Sequence, residues 1–204
     1  MLSKYIYPRH LVKNIFLFKK NLEFYIMKFV MRKLSKIFFT SDHHFYQSKS
    51  DFRCHSNMFG MTKEELDEHR IKEWNNVVKK NDIVYYVGDF CDGNVLQLIN
   101  LKNRLNGKII LVRGNHDNLP VEAYEAIFDG VVDFVELPKF NIVAMHFPSI
   151  DQISEIKKHG QILIYGHIHE DVDPLPMIDK KFCCCVEKTG NAPVELSKIL
   201  DVVF

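Results

Sequence analysis

Between Ile37 and Phe204, short apolar runs alternate with amphipathic stretches, and the spacing of the apolar positions assigns most of them to a strand or a helix. Five runs are dense in β-branched and aromatic residues: Ile37–Thr40, Ile83–Val87, Ile109–Val112, Ile142–Met145 and Ile162–Tyr165. Runs of this kind, unbroken by polar alternation, predict strands buried on both faces. Between them the period changes to three or four residues. Thr62-Lys63-Glu64-Glu65 has the three-residue offset of a capping box, and the stripe Ile71, Trp74, Val78 carries the helix it opens to about Lys79. Val95, Leu98, Ile99 and Leu105 predict a second helix, stopped by Gly107. A third starts at Asn118-Leu119-Pro120 with Tyr124, Ile127 and Phe128 inward, and a fourth runs from Asp151 to His159, closed by Gly160. Pro138-Lys139-Phe140-Asn141 reads as the turn of a hairpin between Val131–Leu137 and Ile142–Met145. Strands alternating with helices, with no repeat and no low-complexity linker, predict one α/β layered domain over residues 36–204.

Each of the five runs ends in polar residues of one chemical kind. After the first come Asp42-His43-His44, after the second Gly88-Asp89, and after the third Gly114-Asn115-His116-Asp117. His146 follows the fourth, and Gly166-His167-Ile168-His169 the fifth. Open α/β sheets form their ligand crevice at the carboxyl ends of the strands, where all of these residues fall. Asp42 and His44 are two apart, as are His167 and His169. On an extended segment such pairs project from one face, so each pair is expected to converge on one centre. A single His or Asp after a strand ordinarily caps a helix or bonds to backbone; five such endings in one domain point instead to a shared site. Seven donors result: Asp42, His44, Asp89, Asn115, His146, His167 and His169. Carboxylate, amide oxygen and imidazole without thiolate favour Mn, Fe or Zn in a reactive site over a structural zinc. Two divalent ions about 3.5–4 Å apart would flank a bridging water, lower its pKa and clamp both oxygens of an in-line displacement at phosphorus. His43, the middle residue of its triplet, is expected to point away and to be structural.

The order Asp-x-His, Gly-Asp, Gly-Asn-His-Asp, His, Gly-His-x-His resembles the calcineurin-like metallophosphoesterase superfamily over residues 37–200. Trp74-Asn75-Asn76-Val77-Val78, Gly88-Asp89-Phe90, Leu105-Asn106-Gly107-Lys108 and Pro193-Val194-Glu195-Leu196 are similar to its small single-domain bacterial and phage members. The resemblance implies a four-layer αββα sandwich with two mixed β-sheets, and hydrolysis of phosphate mono- or diesters, diesters favoured, by a metal-bridging hydroxide. It places Asp42, His44 and His169 on a first metal, Asn115, His146 and His167 on a second, and Asp89 between them. Manganese is the foremost candidate, with iron, zinc or nickel as alternatives, and the substrate is a small phosphate ester or a nucleotide. His116 matches the histidine that stabilises the phosphoryl oxygens and protonates the leaving oxygen, and Asp117 beside it is the expected orienting carboxylate. Departures exist. Tyr46-Gln47 stands where related members often have Gly-His, and Asp92 resembles the protein-phosphatase branch without the Arg that follows it there. Protein phosphatase activity is therefore not expected. Arg53, with His55 beside it, is either a phosphate contact or a plain surface residue. Two alternatives stand beside the esterase: a nuclease on single-stranded nucleic acid and a non-catalytic metal-binding scaffold. The complete ligand set argues against the scaffold.

Composition adds a boundary. A chain of 204 residues, 47% hydrophobic and 26% charged, supports one well-buried core. Its net charge of +1 averages two different parts. Residues 1–36 hold nine Lys and Arg against the single acid Glu23, whereas residues 37–204 hold 18 basic and 25 acidic residues. Residues 1–35 therefore read as a basic N-terminal extension. Its Phe16, Phe18, Phe24, Tyr25 and Phe29 would suit a nucleic acid or an anionic membrane surface. The reading preferred here is an ill-ordered extension, with Met27 and Met31 as alternative starts. The five cysteines, Cys54, Cys91, Cys183, Cys184 and Cys185, fit no paired-zinc spacing. Neighbours on a strand face opposite ways, so the triplet is expected to serve as small core residues in a reducing compartment. No apolar run reaches membrane-spanning length and no signal-peptide cleavage pattern appears, which predicts a soluble cytoplasmic protein.

Overall fold

The computed structural model describes residues 35–47, 60–169, 173–175 and 178–204. The basic extension and the loop carrying Arg53, Cys54 and His55 lie outside these residues. In chain order the elements are β1 (Ile37–Thr40), α1 (Lys63–Val77), β2 (Ile83–Val87), α2 (Val95–Arg104), β3 (Lys108–Val112) and α3 (Val121–Glu125). Then come β4 (Gly130–Val132), β5 (Val135–Leu137), a 3-10 turn at Pro138–Phe140, β6 (Ile142–Ala144) and α4 (Ile150–Lys158). The last are β7 (Ile162–Tyr165), β8 (Lys181–Cys183), β9 (Val194–Glu195) and α5 (Leu196–Val203).

The capping box read at Thr62 forms: Glu65 N–H donates to Thr62 Oγ1 at 3.2 Å, and Thr62 N–H to Glu65 Oε2 at 2.7 Å. Asn94 with Gln97 opens α2 and Ser149 with Gln152 opens α4 in the same way. One sheet has the order β4-β3-β2-β1-β9, parallel except for β9. The other has the order β5-β6-β7-β8, parallel except for β5. Both sheets are mixed.

Three apolar clusters account for the layering. Val84, Tyr86, Ile109 and Leu111 from the first sheet pack with Trp74 of α1, Leu98 of α2 and Tyr124 of α3. Phe39 and Val87 from the opposite face meet Ile142, Ala144, Ile162 and Ile164 of the second sheet, sealed by Leu196 and Ile199 of α5. Val143, Leu163 and Tyr165 then pack with Ile153 and Ile156 of α4. Helices, sheet, sheet and helix follow in turn, which is the expected four-layer α/β arrangement with two mixed sheets. Strands covered on both sides explain the unbroken apolar runs.

The cysteine run divides as its alternation requires: Cys184 lies in the inter-sheet cluster, and Cys185 with Cys183 in the outer one. One reading is corrected. Val131–Leu137 is not a single hairpin arm; β4 pairs with β3 in the first sheet and β5 pairs with β6 in the second. The chain crosses between sheets at Asp133-Phe134, where Asp133 is drawn outward by Arg113 Nη2 at 2.6 Å. Among the described residues no helix is long and apolar enough to cross a membrane.

Candidate metal centre

Each of the seven donors follows the carboxyl end of a strand. β1 delivers Asp42 and His44, β2 Asp89, β3 Asn115, β6 His146, and β7 His167 and His169. Backbone bonds between the loops fix their relative positions. Asp42 N–H donates to Gly88 O at 3.0 Å and His44 N–H to Asp89 O at 3.2 Å. The two sheets are tied directly, because His167 N–H of the second donates to the Asp42 carboxylate of the first at 3.0 Å.

The backbone at these positions is not extended. Asp42, His44, Asp89, His167 and His169 have φ of 62°, 45°, 58°, 75° and 46°. Left-handed non-glycine residues cost about 1–3 kcal/mol each and persist only where surrounding structure over-determines them. Asp42, His44 and His169 share one cluster and His167 lies in the other, so the two-residue spacing alone does not keep the second pair together. Gly166 has to be glycine for a steric reason. A Cβ there would sit 2.6 Å from both Asp42 Oδ2 and Ser41 Oγ, and that carboxylate cannot rotate away without losing the His167 N–H. Gly166→Ala is therefore expected to destabilise the fold by about 1–3 kcal/mol and to weaken metal uptake, as denaturant melts and Mn²⁺ titration would report.

Donor atoms of Asp42, His44 and His169 lie within 4.8 Å of one another, and so do those of Asp89, His146 and His167. Three of the histidines are aimed from behind. His44 Nδ1–H donates to Asp92 Oδ2 at 3.1 Å, His146 Nδ1–H to Val87 O at 2.9 Å, and His169 Nδ1–H to Glu187 Oε1 at 3.1 Å. When neutral, each ring then presents the Nε2 lone pair inward, the tautomer a metal ligand needs. His146 Nε2 lies 2.9 Å from Asn115 Oδ1, 3.2 Å from His167 Nδ1 and 3.3 Å from Asp89 Oδ2. So many electron-rich atoms around one point require a cation. A proton meets that need in the bare chain. Burial pulls the His146 pKa down, but Asp89 and Asp42 outweigh it and hold it up to about 9. Asp89, raised by burial, is held down to about 2 chiefly by His146. For Asp42 burial dominates and lifts the carboxyl above its usual range despite His146 and His169. A divalent cation fits this donor set and would relieve all three.

His116 is exposed, its ring 5.0 Å from that of His44, and its N–H donates to Asp89 Oδ1 at 2.8 Å. Asp117 does not play the orienting part expected of it. Its Oδ2 accepts the N–H of Gly114 at 2.7 Å and of Asp89 at 3.0 Å, and its Oδ1 accepts that of Phe90 at 3.0 Å. With both oxygens turned to backbone, Asp117 clamps the β2 and β3 loops together. The carboxylate grouped with the His116 and His44 rings is Asp92. His43 is buried, stacked on Phe45 at 4.8 Å and bonded through Nδ1 to the Tyr86 hydroxyl at 2.8 Å. Gln47 donates its N–H to His44 O at 3.1 Å. The sequence reading passed over Glu187. Its signal was present, an acid closing the apolar run Phe182–Val186, but cysteines made that run look like core alone.

The sequence profile of the calcineurin-like phosphoesterases matches residues 35–171. The chain belongs to this family. An uncharacterized protein of Methanocaldococcus jannaschii is 30% identical over 176 residues, which is 83% of this chain and 92% of that protein. The Gene 66 protein of Mycobacterium phage L5 is 29% identical over 135 residues, 52% of this chain and 65% of the phage protein. Among solved structures, a protein of unknown function from Aquifex aeolicus superposes with a TM-score of 0.64 at 24% identity, covering 83% of this chain and all of that one. That likeness supports the fold.

Proposed function

We propose that the chain is a phosphoesterase working with two divalent metal ions, manganese foremost, and that it prefers small phosphodiesters. One observation carries the reading: Asp89 Oδ2 lies 3.5 Å from His44 Nε2 and 3.3 Å from His146 Nε2. A single carboxylate oxygen thus faces donors of both clusters, as a bridge between two ions must. Asp42, His44 and His169 would hold one ion, Asn115, His146 and His167 the other, with Asp89 common to both. Bound there, the ions supply Lewis acidity, neutralising phosphoryl charge and making water acidic enough to attack at neutral pH.

The chain's own groups do the remainder. The bond from His116 N–H to Asp89 fixes the root of the His116 side chain, and its exposed ring is free to meet substrate. From there it donates to a phosphoryl oxygen and delivers a proton to the departing alkoxide. Asp92 accepts His44 Nδ1–H and so fixes the rotation of that ring, and its carboxylate stands in the same group of side chains as His116. Asp117 keeps the Asp89 and Gly114 turns in register, so that the bridging carboxylate and Asn115 arrive together.

Chelation followed by reloading tests this. The stripped chain is expected to be inactive on an aryl phosphodiester, to regain activity with Mn²⁺, and to bind about two ions at saturation. With His146 held protonated up to about 9, Mn²⁺ must displace that proton, so apparent affinity should rise with pH toward that value. Full activity in chelator, with no metal by elemental analysis, would sink the proposal. Faster turnover of aryl monoesters than of diesters would overturn the diester preference alone.

A further inference from the structure

Two buried charges stand behind one half of the centre and belong to none of the strand-end motifs. Arg70, in α1, and Glu187, in the turn that follows β8, have side chains only 2% and 1% exposed. Arg70 Nη1 donates to His43 O at 2.6 Å, Nε to Asn191 Oδ1 at 3.3 Å, and Nη2 to Glu187 Oε1 at 3.5 Å. The same Glu187 oxygen accepts His169 Nδ1–H at 3.1 Å. Arg70 therefore grips the backbone between Asp42 and His44 directly, and reaches the His169 ring through Glu187. Those are the three members of one donor cluster. None of these bonds leads to Asp89, His146 or His167.

We infer that Glu187, backed by Arg70, is the positioning residue for the Asp42–His44–His169 half of the metal centre, an inference that rests on the two-metal reading above. A carboxylate on Nδ1–H fixes the imidazole tautomer and rotation and makes Nε2 a better ligand. The burial of the pair is what makes the arrangement rigid. An exposed carboxylate could exchange His169 for water, whereas this one would leave Arg70 without its counter-charge in the protein interior. An ion pair serving only to glue α1 to the β8 turn would show the same burial. It would have no reason to share its oxygen with a donor of the cluster.

Site-selective metal loss separates the two roles. The full chain carrying Glu187→Gln, titrated with Mn²⁺ alone by calorimetry, is expected to bind one ion as the wild type does. The second ion should bind about 10–100-fold more weakly, the usual loss when a ligand's outer partner is removed. The electron paramagnetic resonance signature of a coupled manganese pair should appear only at correspondingly higher Mn²⁺. Glu187→Asp keeps the charge opposite Arg70 and guards against misfolding; it should weaken the same site by a smaller factor. A folded variant that binds both ions like the wild type, or weakens both equally, would reduce Glu187 to a structural partner and overturn the inference. Wild-type protein that binds no pair of ions would remove the two-metal reading itself, a failure plainly distinct from this one. The tautomer gives a check without any variant. Nitrogen NMR of the metal-free wild-type chain in mildly alkaline buffer should find His169 protonated at Nδ1, and an Nε2-protonated ring would contradict the role assigned to Glu187.

Discussion

Asp89→Asn is expected to yield a folded chain in which metal binding and esterase activity collapse together. The side chain keeps its size, and its remaining carbonyl oxygen can still accept the His116 N–H that Oδ1 now receives at 2.8 Å. What changes is the group facing His44 Nε2 and His146 Nε2. A charged oxygen at 3.5 and 3.3 Å from those nitrogens becomes an amide NH₂ that can donate to them once their rings are neutral. The space that favoured a cation is then filled by two ordinary hydrogen bonds. Removing an outer partner of a ligand already costs about 10–100-fold in affinity, and a bridging charge should cost at least that for each ion. Activity should fall at least in parallel. The stripped variant loses the buried pairing of Asp89 with protonated His146 and should melt below stripped wild type while remaining folded. Calorimetric Mn²⁺ titration and melting curves on both proteins decide it. A variant that keeps two ions at wild-type affinity would refute the bridging role proposed for Asp89.

His116→Ala is expected to do the opposite, leaving the metals in place while slowing the reaction. None of the seven donors is removed, and the Asp89 contact is made by backbone, which alanine retains. The loss is of a donor aimed at charge that develops on the phosphoryl group, worth about 10²–10³ in rate. Proton delivery to the leaving oxygen adds a further factor of about 10²–10⁴ for poor leaving groups. Alkyl and nucleoside esters should therefore suffer more than activated aryl esters, whose leaving oxygens need no proton. Paired assays on both ester types, with metal content measured on the same samples, read this out. Equal rates for variant and wild type on both would remove His116 from the chemistry. Loss of metal would make it a ligand.

Much of this molecule was legible along the chain because strand burial and donor placement are local properties. Ile83–Val87 and Ile109–Val112 had to be covered on both faces, since neither offers a polar side to water, and helices on one side with a second sheet on the other do cover them. The seven donors could be found because each simply ends an apolar run. What the sequence could not decide is how distant turns meet. Spacing alone treats His167 and His169 like Asp42 and His44, yet the folded loops place the first pair in two clusters and the second pair in one. Asp117 was expected on the adjacent imidazole, but it is nearer to amides from its own loop and from Asp89 and Phe90, which only the folded loops bring to it. Val131–Leu137 looked continuous, yet it crosses between sheets, because pairing partners lie elsewhere in the chain. Arg70 and Glu187 are 117 residues apart and carry no motif, and their meeting behind His169 exists only once α1 packs against the β8 turn. Composition and period along the chain determined which chemistry is present and that it lies at strand ends. Tertiary packing decided which donors share a centre, because that depends on contacts between segments more than a hundred residues apart, such as His167 N–H on the Asp42 carboxylate.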